Sequence, residues 1–225
     1  MNLSENNESF FIDNIPLGFS VIAGFSKPVI DGTEVNNDVN KIFSKREIEN
    51  LGISCLNQVH GSFIYETNEA GIYTADGLIT SIRNLVIVVK TADCLPLFIF
   101  DNRNNKIGVI HMGWRSAKAG ILDSVPVDFK YSYVIAGVGL RKCCYEVGEN
   151  FLSIEKLSPF IQKRSRKFYL DIISFVKMTL LQRGLKESNF YDLGMCSFCS
   201  KNRFFSYRRT KTKKRTLSFS VIIQP

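Results

Sequence analysis

Histidine is scarce in this chain, with two among 225 residues, and long apolar runs are missing altogether. A membrane-spanning helix needs about 18 or more consecutive apolar residues, so no such helix is expected. Residues 1–13 are polar and acidic, whereas a signal peptide begins basic and then becomes apolar. We therefore predict a cytoplasmic protein with no membrane partner.

Disulfide bonds are also not expected, because six cysteines without an export signal should stay reduced. Cys143 and Cys144 are adjacent, which is poor geometry for a bond between them. Cys196 and Cys199 form a single C-x-x-C, which could be half of a zinc site or a redox pair. Since no second pair is evident to complete a zinc ribbon, we interpret these two as ordinary thiols that the chemistry does not need.

The composition is that of a globular protein, with 45% hydrophobic and 22% charged residues. A chain of this length can bury a sizeable core, and no repeat or linker divides it. We expect one domain over residues 1–225. Several short apolar runs bounded by Asp, Asn or Gly predict buried strands. These runs are Leu85–Val89, Pro96–Phe100, Ile107–Ile110 and Tyr133–Ala136.

Other segments predict a terminal strand, a hairpin and three helices. Residues 10–25 and 216–223 alternate in polarity, which favours a hairpin and a closing strand. Helical spacing predicts helices over 36–50 and 114–122, and a third after Asp171 as N-cap that ends at Gly184. Strands dominate the middle of the chain with helices at intervals, so we predict an α+β fold.

The chain is basic, with a formal charge of +8 and clusters at Lys163–Lys167 and Arg208–Arg215. The second cluster follows Phe204, Phe205 and Tyr207, and basic residues beside aromatics can bind nucleic acid. A solvated surface is the simpler interpretation, so we do not expect nucleic acid as a partner. A positive surface would also draw phosphate toward a cleft.

Both histidines lie where an apolar strand meets a glycine, His60 before Gly61 and His111 two residues before Gly113. Cys94 lies between two predicted strands, and Pro96 is expected to interrupt the ladder there and expose the thiol at a bend. Three ligands on separate strands are typical of an open catalytic metal site. The alternative is two satisfied core histidines and a buried thiol.

Six segments in order give the sequence a family resemblance over about residues 50–225. It resembles the laccase-domain family, also called the YfiH or multicopper polyphenol oxidase-like family. The matching segments are Asn57–Gly61, Ala75–Thr80, Lys90–Leu97, Gly108–Arg115, Cys143–Gly148 and Phe204–Arg209.

The resemblance implies mixed β-sheets packed as a sandwich with flanking helices, and one zinc ion per chain on His60, Cys94 and His111. It also implies purine nucleoside phosphorylase activity on adenosine, inosine and methylthioadenosine, with adenosine deaminase activity. An oxidase activity gave the family its name. Two histidines are too few for a multicopper cluster, although a lone copper could occupy the same three residues.

Phosphorolysis needs an anion pocket beside the metal. Arg115 is our first candidate for phosphate, at the start of a predicted helix, with Arg208 and Arg209 as second choices. Asp76 could orient a metal ligand or the sugar, and a plain turn residue is its alternative. Tyr145 could reach the cleft, or be a hydrogen-bonded core residue.

Two rival functions remain open from the sequence. One is a metal-free amidase with Cys94 as nucleophile and His111 as base. The other is a basic binding module that has lost catalysis.

The resemblance also has a gap, because the family's N-terminal Arg-x-Gly-Gly-x-Ser segment reads Ser20–Ser26 here and lacks the arginine. The sequence does not predict the preferred base or the oligomeric state.

Overall fold

Two β-sheets pack face to face in the computed structural model, which describes residues 1–44 and 50–223. One sheet has seven strands in the order β1-β2-β3-β16-β8-β4-β6, and the other has six in the order β15-β11-β9-β10-β7-β5. A small third sheet has the order β12-β14-β13. Parallel and antiparallel pairs occur in both large sheets.

The strands have the following bounds: β1 Asn2–Glu5, β2 Ser9–Asp13, β3 Val21–Ser26, β4 Gly52–Asn57, β5 Ile64–Glu66, β6 Gly71–Thr74, β7 Gly77–Thr80, β8 Leu85–Thr91, β9 Leu95–Asp101, β10 Lys106–Met112, β11 Ser132–Ala136, β12 Glu146–Val147, β13 Ile161–Arg164, β14 Lys167–Leu170, β15 Phe190–Asp192 and β16 Thr216–Ile222. The α-helices are α1 Val35–Phe43, α2 Trp114–Lys118, α3 Ile172–Gln182 and α4 Tyr207–Thr210. Among the described residues, no helix is long and apolar enough to cross a membrane.

The alternation of side chains along the strands builds three apolar layers. In β8, Ile87 and Val89 point into the space between the large sheets, whereas Val86 and Val88 face the other side. Helix α1 covers that other side of the seven-stranded sheet. Helices α2 and α3 cover the outer face of the six-stranded sheet. The predicted α+β sandwich with flanking helices is therefore confirmed.

Most of the predicted elements are also confirmed. All four apolar runs form strands, the hairpin pairs β2 with β3, and residues 216–222 form the last strand. Helix α3 begins after Asp171, whose side chain accepts a hydrogen bond from the Ser174 N–H at 3.1 Å. Helix α2 is shorter than predicted and ends at Lys118, followed by turns. Helix α1 ends at Phe43, and residues 45–49 of its predicted range lie outside the described residues.

The chain crosses between the two large sheets in the connections that carry site residues. The β6–β7 connection contains Asp76, and the β8–β9 connection contains Cys94. His60 follows β4 of the seven-stranded sheet, and His111 lies near the end of β10 in the six-stranded sheet. Both sheets therefore contribute residues to one rim of the sandwich.

Candidate metal and substrate site

His60, Cys94 and His111, the three predicted ligands, meet at this rim. One ligand atom from each lies within 4.8 Å of the others. The two imidazole rings are 4.7 Å apart between centroids and nearly perpendicular. A Cβ atom at Gly113 would lie 3.1 Å from the Cys94 sulfur and 3.5 Å from the His60 ring. A glycine at this position therefore leaves the space around the three donors open.

Asp76 connects the two histidines and is completely buried. Its Oδ1 accepts a hydrogen bond from His111 Nδ1 at 2.8 Å, which directs the other ring nitrogen toward Cys94. The same carboxylate accepts hydrogen bonds from three backbone N–H groups of the loop that follows β4. They come from Val59 at 3.2 Å, His60 at 2.9 Å and Gly61 at 2.6 Å. Asp76 thus orients one candidate ligand by its side chain and the other by its backbone.

The backbone at His60 has a left-handed conformation, with φ at 61°. Such a conformation is uncommon outside glycine and persists only where surrounding contacts hold it. The Asp76 carboxylate supplies those contacts on one side. On the other, the Gln58 side chain exchanges two hydrogen bonds with the Lys90 backbone in β8, at 2.8 and 2.9 Å.

The bend at Cys94 has a different cause from the one predicted. Pro96 lies inside β9, paired with His111, and does not interrupt the strand. Instead, the turn forms at Asp93, where φ is 99°. The Asp93 carboxylate accepts hydrogen bonds from Ser197 Oγ at 2.8 Å and the Arg208 N–H at 2.6 Å, which fix this turn.

The surroundings of Cys94 favour its charged form. Burial alone would raise the pKa of the thiol, but hydrogen bonds from the His111 and His60 rings outweigh burial and lower it to about 6. Burial would likewise lower the pKa of His111, but its bonds with Asp76 and Cys94 raise it to about 9. Near neutral pH, the chain alone therefore holds a thiolate beside an imidazolium.

A cavity of about 820 Å³ opens above the three donors. Of the predicted substrate-binding residues, Arg115, Tyr145 and Arg208 line it, whereas Asp76 lies beneath it. Six cationic side chains but a single carboxylate, that of Asp93, are among the described residues of the lining. The cationic residues are Lys90, Arg115, Arg208, Lys211, Lys213 and Arg215.

The two strongest phosphate candidates differ in how they are held. The Arg115 guanidinium is exposed and lies over the Trp114 ring, 4.6 Å from its centroid. Arg208 donates from Nη1 to the carbonyls of Cys144 and Glu146, at 2.9 and 2.7 Å, and lies over the Tyr145 ring. Arg115 is thus the more available of the two.

Arg209, our other second choice for phosphate, does not line the cavity. Its guanidinium donates to carbonyls of the preceding loop, those of Ser197, Phe198, Lys201 and Phe204. The reason is local, because Arg209 lies on the face of α4 that packs on this loop. Its role here is structural.

Tyr145 is buried beneath the cavity. Burial and the nearby Cys94 charge raise the pKa of its hydroxyl well above the usual value. A phenol is protonated at neutral pH even at its usual pKa, so Tyr145 keeps its proton there, and it lines the cavity as a residue that can form hydrogen bonds.

Several lining residues were not singled out in the sequence. Gln58 and Lys90 lie within matched family segments, so the resemblance was the available signal for them. Lys211, Lys213 and Arg215 belong to a basic cluster whose sequence fits a solvated surface equally well. Gly32 and Thr33, on the loop before α1, carry no local signal at all.

The comparisons with known proteins agree with this fold. The family model described as multi-copper polyphenol oxidoreductase laccase matches residues 30–223. The chain belongs to this family. The crystal structure of the hypothetical protein YfiH from Bacillus licheniformis superposes with a TM-score of 0.86 at 19% identity, covering 98% of each chain. That likeness supports the fold.

Relatives in the family carry enzyme names. A purine nucleoside phosphorylase of Borreliella burgdorferi is 32% identical in an alignment that covers 71% of this chain and 75% of that protein. Adenosine deaminase RL5, from an unknown prokaryotic organism, is 25% identical in an alignment that covers 76% of this chain and 71% of that protein. The chain is thus similar to enzymes named for purine nucleoside chemistry.

Proposed function

We propose that this protein is a zinc-dependent purine nucleoside phosphorylase that acts on adenosine, inosine and methylthioadenosine and also deaminates adenosine. One observation carries the proposal: a single cavity joins the donors of His60, Cys94 and His111 to a strongly cationic lining. The names of two relatives, purine nucleoside phosphorylase and adenosine deaminase, support this class of substrate.

The three donors fit zinc in number and kind. One thiolate and two imidazoles make three of the four ligands of a tetrahedral site and leave one position open. Zn–N and Zn–S distances of about 2.1 and 2.3 Å separate ligand atoms by about 3.5 Å, so small side-chain movements would suffice. Asp76 supplies the carboxylate that commonly orients a metal-bound histidine. A zinc ion held by these three residues would supply Lewis acidity for the deamination step.

The cationic lining fits phosphate. Arg115 is its proposed anchor, because a guanidinium can bind two phosphate oxygens at once. Helix α2 has only five residues, so this role rests on the side chain and not on the end of the helix. Lysines at the rim would raise the local concentration of phosphate.

Phosphorolysis then proceeds by displacement at the sugar. A phosphate oxygen held by Arg115 forms a bond to ribose C1′ while the bond from C1′ to the purine nitrogen breaks. The electron pair of that bond leaves with the base, which takes up the proton that the attacking hydrogen phosphate gives up. Tyr145 keeps its phenol proton and can donate a hydrogen bond to the purine. The products are ribose 1-phosphate and the free base.

A nucleoside panel with and without phosphate tests this proposal on protein whose metal content is known. We expect free base to form only with phosphate and to appear together with ribose 1-phosphate. We also expect inosine to form from adenosine without phosphate. Equal release of base in both conditions would identify a hydrolase and overturn the phosphorylase proposal.

A metal-free amidase is the second candidate, and one observation favours it. Cys94, His111 and Asp76 form a continuous chain of hydrogen bonds, the arrangement of a nucleophile, its base and an orienting carboxylate. His60 argues for the metal, because a triad of this kind needs only one histidine. Amide hydrolysis that persists in zinc-free protein, with no nucleoside turnover, would decide for the amidase.

A further inference from the structure

Four cysteines form a second thiol cluster, separate from Cys94. Cys143 and Cys144 lie in the turn between β11 and β12, and Cys196 and Cys199 lie between β15 and β16. Their four sulfur atoms all lie within 4.8 Å of one another. The expectation that Cys196 and Cys199 have no second pair was therefore wrong, because the adjacent cysteines supply one.

We propose that Cys143, Cys144, Cys196 and Cys199 bind a second zinc ion in a structural site that joins these two segments. The chain would then bind two zinc ions, one more than the sequence predicts. The site would serve stability and positioning, so the C-x-x-C would still take no part in the chemistry.

The sulfur distances fit a tetrathiolate. A tetrahedral zinc with Zn–S bonds of about 2.3 Å places its sulfur atoms about 3.8 Å apart. The Cys199 sulfur lies 3.9 Å from that of Cys143 and 3.3 Å from that of Cys144. A disulfide would need about 2.05 Å and would join only two of the four thiols. Four soft ligands around one point favour zinc over magnesium or calcium.

The groups around the cluster would stabilise its negative charge. The backbone N–H groups of Phe198, Cys199 and Arg141 lie close enough to the Cys196 sulfur to stabilise a negative charge there. Four thiolates on one zinc ion carry a net charge of −2, and a cation nearby would offset part of it. The Arg141 side chain meets this need, because it is close enough to Cys143 and Cys196 to interact with their charges.

The known partners of Arg141 satisfy only part of its guanidinium. The residue is 7% exposed, and Nη2 donates to the Gly137 carbonyl and to Asp192. Its Nε and Nη1 atoms are buried without a hydrogen-bond partner among the described residues. Asp192 balances the charge of Arg141, but buried donors without an acceptor are costly, and thiolates of the cluster would supply acceptors nearby.

The cluster also lies directly behind the cavity. Cys144 precedes Tyr145, and its carbonyl accepts a hydrogen bond from the Arg208 guanidinium. Ser197, inside the C-x-x-C, donates to the Asp93 carboxylate that fixes the turn before Cys94. Joining the two segments would therefore hold cavity residues in place.

Zinc analysis of the full chain under reducing conditions tests this proposal. We expect about two equivalents in the wild type, and about one in Cys199→Ser and in Cys196→Ser/Cys199→Ser. His60→Ala should also retain about one, now held by the four cysteines. Cys55→Ala removes a buried cysteine outside both groups and should retain two.

X-ray absorption on His60→Ala keeps the proposal testable if the cysteine variants fail to fold. We expect four sulfur neighbours at about 2.3 Å around its zinc. If the wild type binds one equivalent of zinc and His60→Ala binds none, this proposal is overturned and the proposed function still stands. Iron in place of zinc, or a disulfide from Cys144 to Cys199 in protein kept reduced, would also overturn it.

Discussion

The Asp76 carboxylate accepts four hydrogen bonds, one from the His111 ring and three from the loop that carries His60. Asp76→Asn keeps the shape but removes the charge and replaces one acceptor oxygen by a donor. We expect zinc affinity at the His60 site to fall about 10- to 100-fold, since losing such a partner weakens metal ligands. Competition with a chelator of known zinc affinity measures the change.

Asp101→Asn is the matched control for this change. Asp101 is also fully buried, but it accepts its hydrogen bonds from Arg103 and Asn104 in the turn between β9 and β10. This variant should leave zinc affinity unchanged even if it lowers the melting temperature. Equal losses of affinity in the two variants would mean that Asp76 acts only through stability.

Arg115 tests whether phosphate and purine use separate parts of the cavity. Arg115→Ala should raise the KM for phosphate about tenfold to a hundredfold, from the loss of about 1.5–3 kcal/mol of charge-assisted contact. Deamination of adenosine uses no phosphate and should change much less. Steady-state kinetics of both reactions on one preparation measure the split.

Arg103→Ala provides the comparison, because Arg103 is an exposed arginine that lies over an aromatic ring, that of Tyr131, away from the cavity. It should leave both reactions unchanged. If both activities fall together in Arg115→Ala, Arg115 is not the phosphate anchor and acts on the site as a whole.

At the scale of elements, the loop after β4 depends on Gln58. Its side chain exchanges two hydrogen bonds with the Lys90 backbone. Gln58→Ala should cost about 1–2 kcal/mol of unfolding free energy, which lowers the melting temperature by about 2–8 °C in a chain of this size. Zinc should also leave the His60 site faster, because the loop is less firmly held.

Thermal unfolding and stopped-flow transfer of zinc to a chelator measure these two effects. Gln162→Ala on β13 is the control, since among the described residues its side chain is bonded locally to Arg164, on the surface. A Gln58→Ala protein with wild-type release rate would show that Asp76 alone holds the loop.

The elements near the site also show what could be predicted from sequence. Apolar runs bounded by turn residues predicted the central strands, and Asp171 predicted the start of α3, because these signals are local. The bend at Cys94 was assigned to Pro96, but a central strand accommodates this proline near its start, and Asp93 makes the turn. A positive φ at one aspartate, as at Asp93, has no clear signal in the sequence.

Residues far apart in the chain were the main difficulty. Cys143 and Cys199 are 56 positions apart, and their meeting depends on how the segments after β11 and β15 pair. Sheet order is set by contacts across the whole core, which no local pattern encodes. The donors His60, Cys94 and His111 were grouped partly because the family resemblance implied it. For Asp76, the sequence left open that it is a plain turn residue.

At the scale of the whole molecule, the two basic clusters of the sequence differ in position. Lys211, Lys213 and Arg215 line the cavity, whereas Lys163 and Arg166 are exposed on β13 and the following turn, away from it. Phe204, one of the aromatics that suggested nucleic-acid binding, is buried in the core against Phe10. A stacking role for that ring is therefore excluded, and under the proposed function the Arg208–Arg215 cluster attracts phosphate.

Charge reversal separates the field at the cavity from the net charge of the molecule. Lys211→Glu/Lys213→Glu should lower kcat/KM for phosphate by about tenfold at low ionic strength, because steering toward a charged cleft is of at least that size. Added salt should shrink the difference, since the Debye length falls to about 8 Å at 0.15 M. Lys163→Glu/Arg166→Glu changes the net charge equally and should have little effect.

Equal losses in the two variants would mean that overall charge, and not the cavity lining, attracts phosphate. Salt-sensitive RNA binding that only the cavity variant loses would instead favour the binding module over the enzyme.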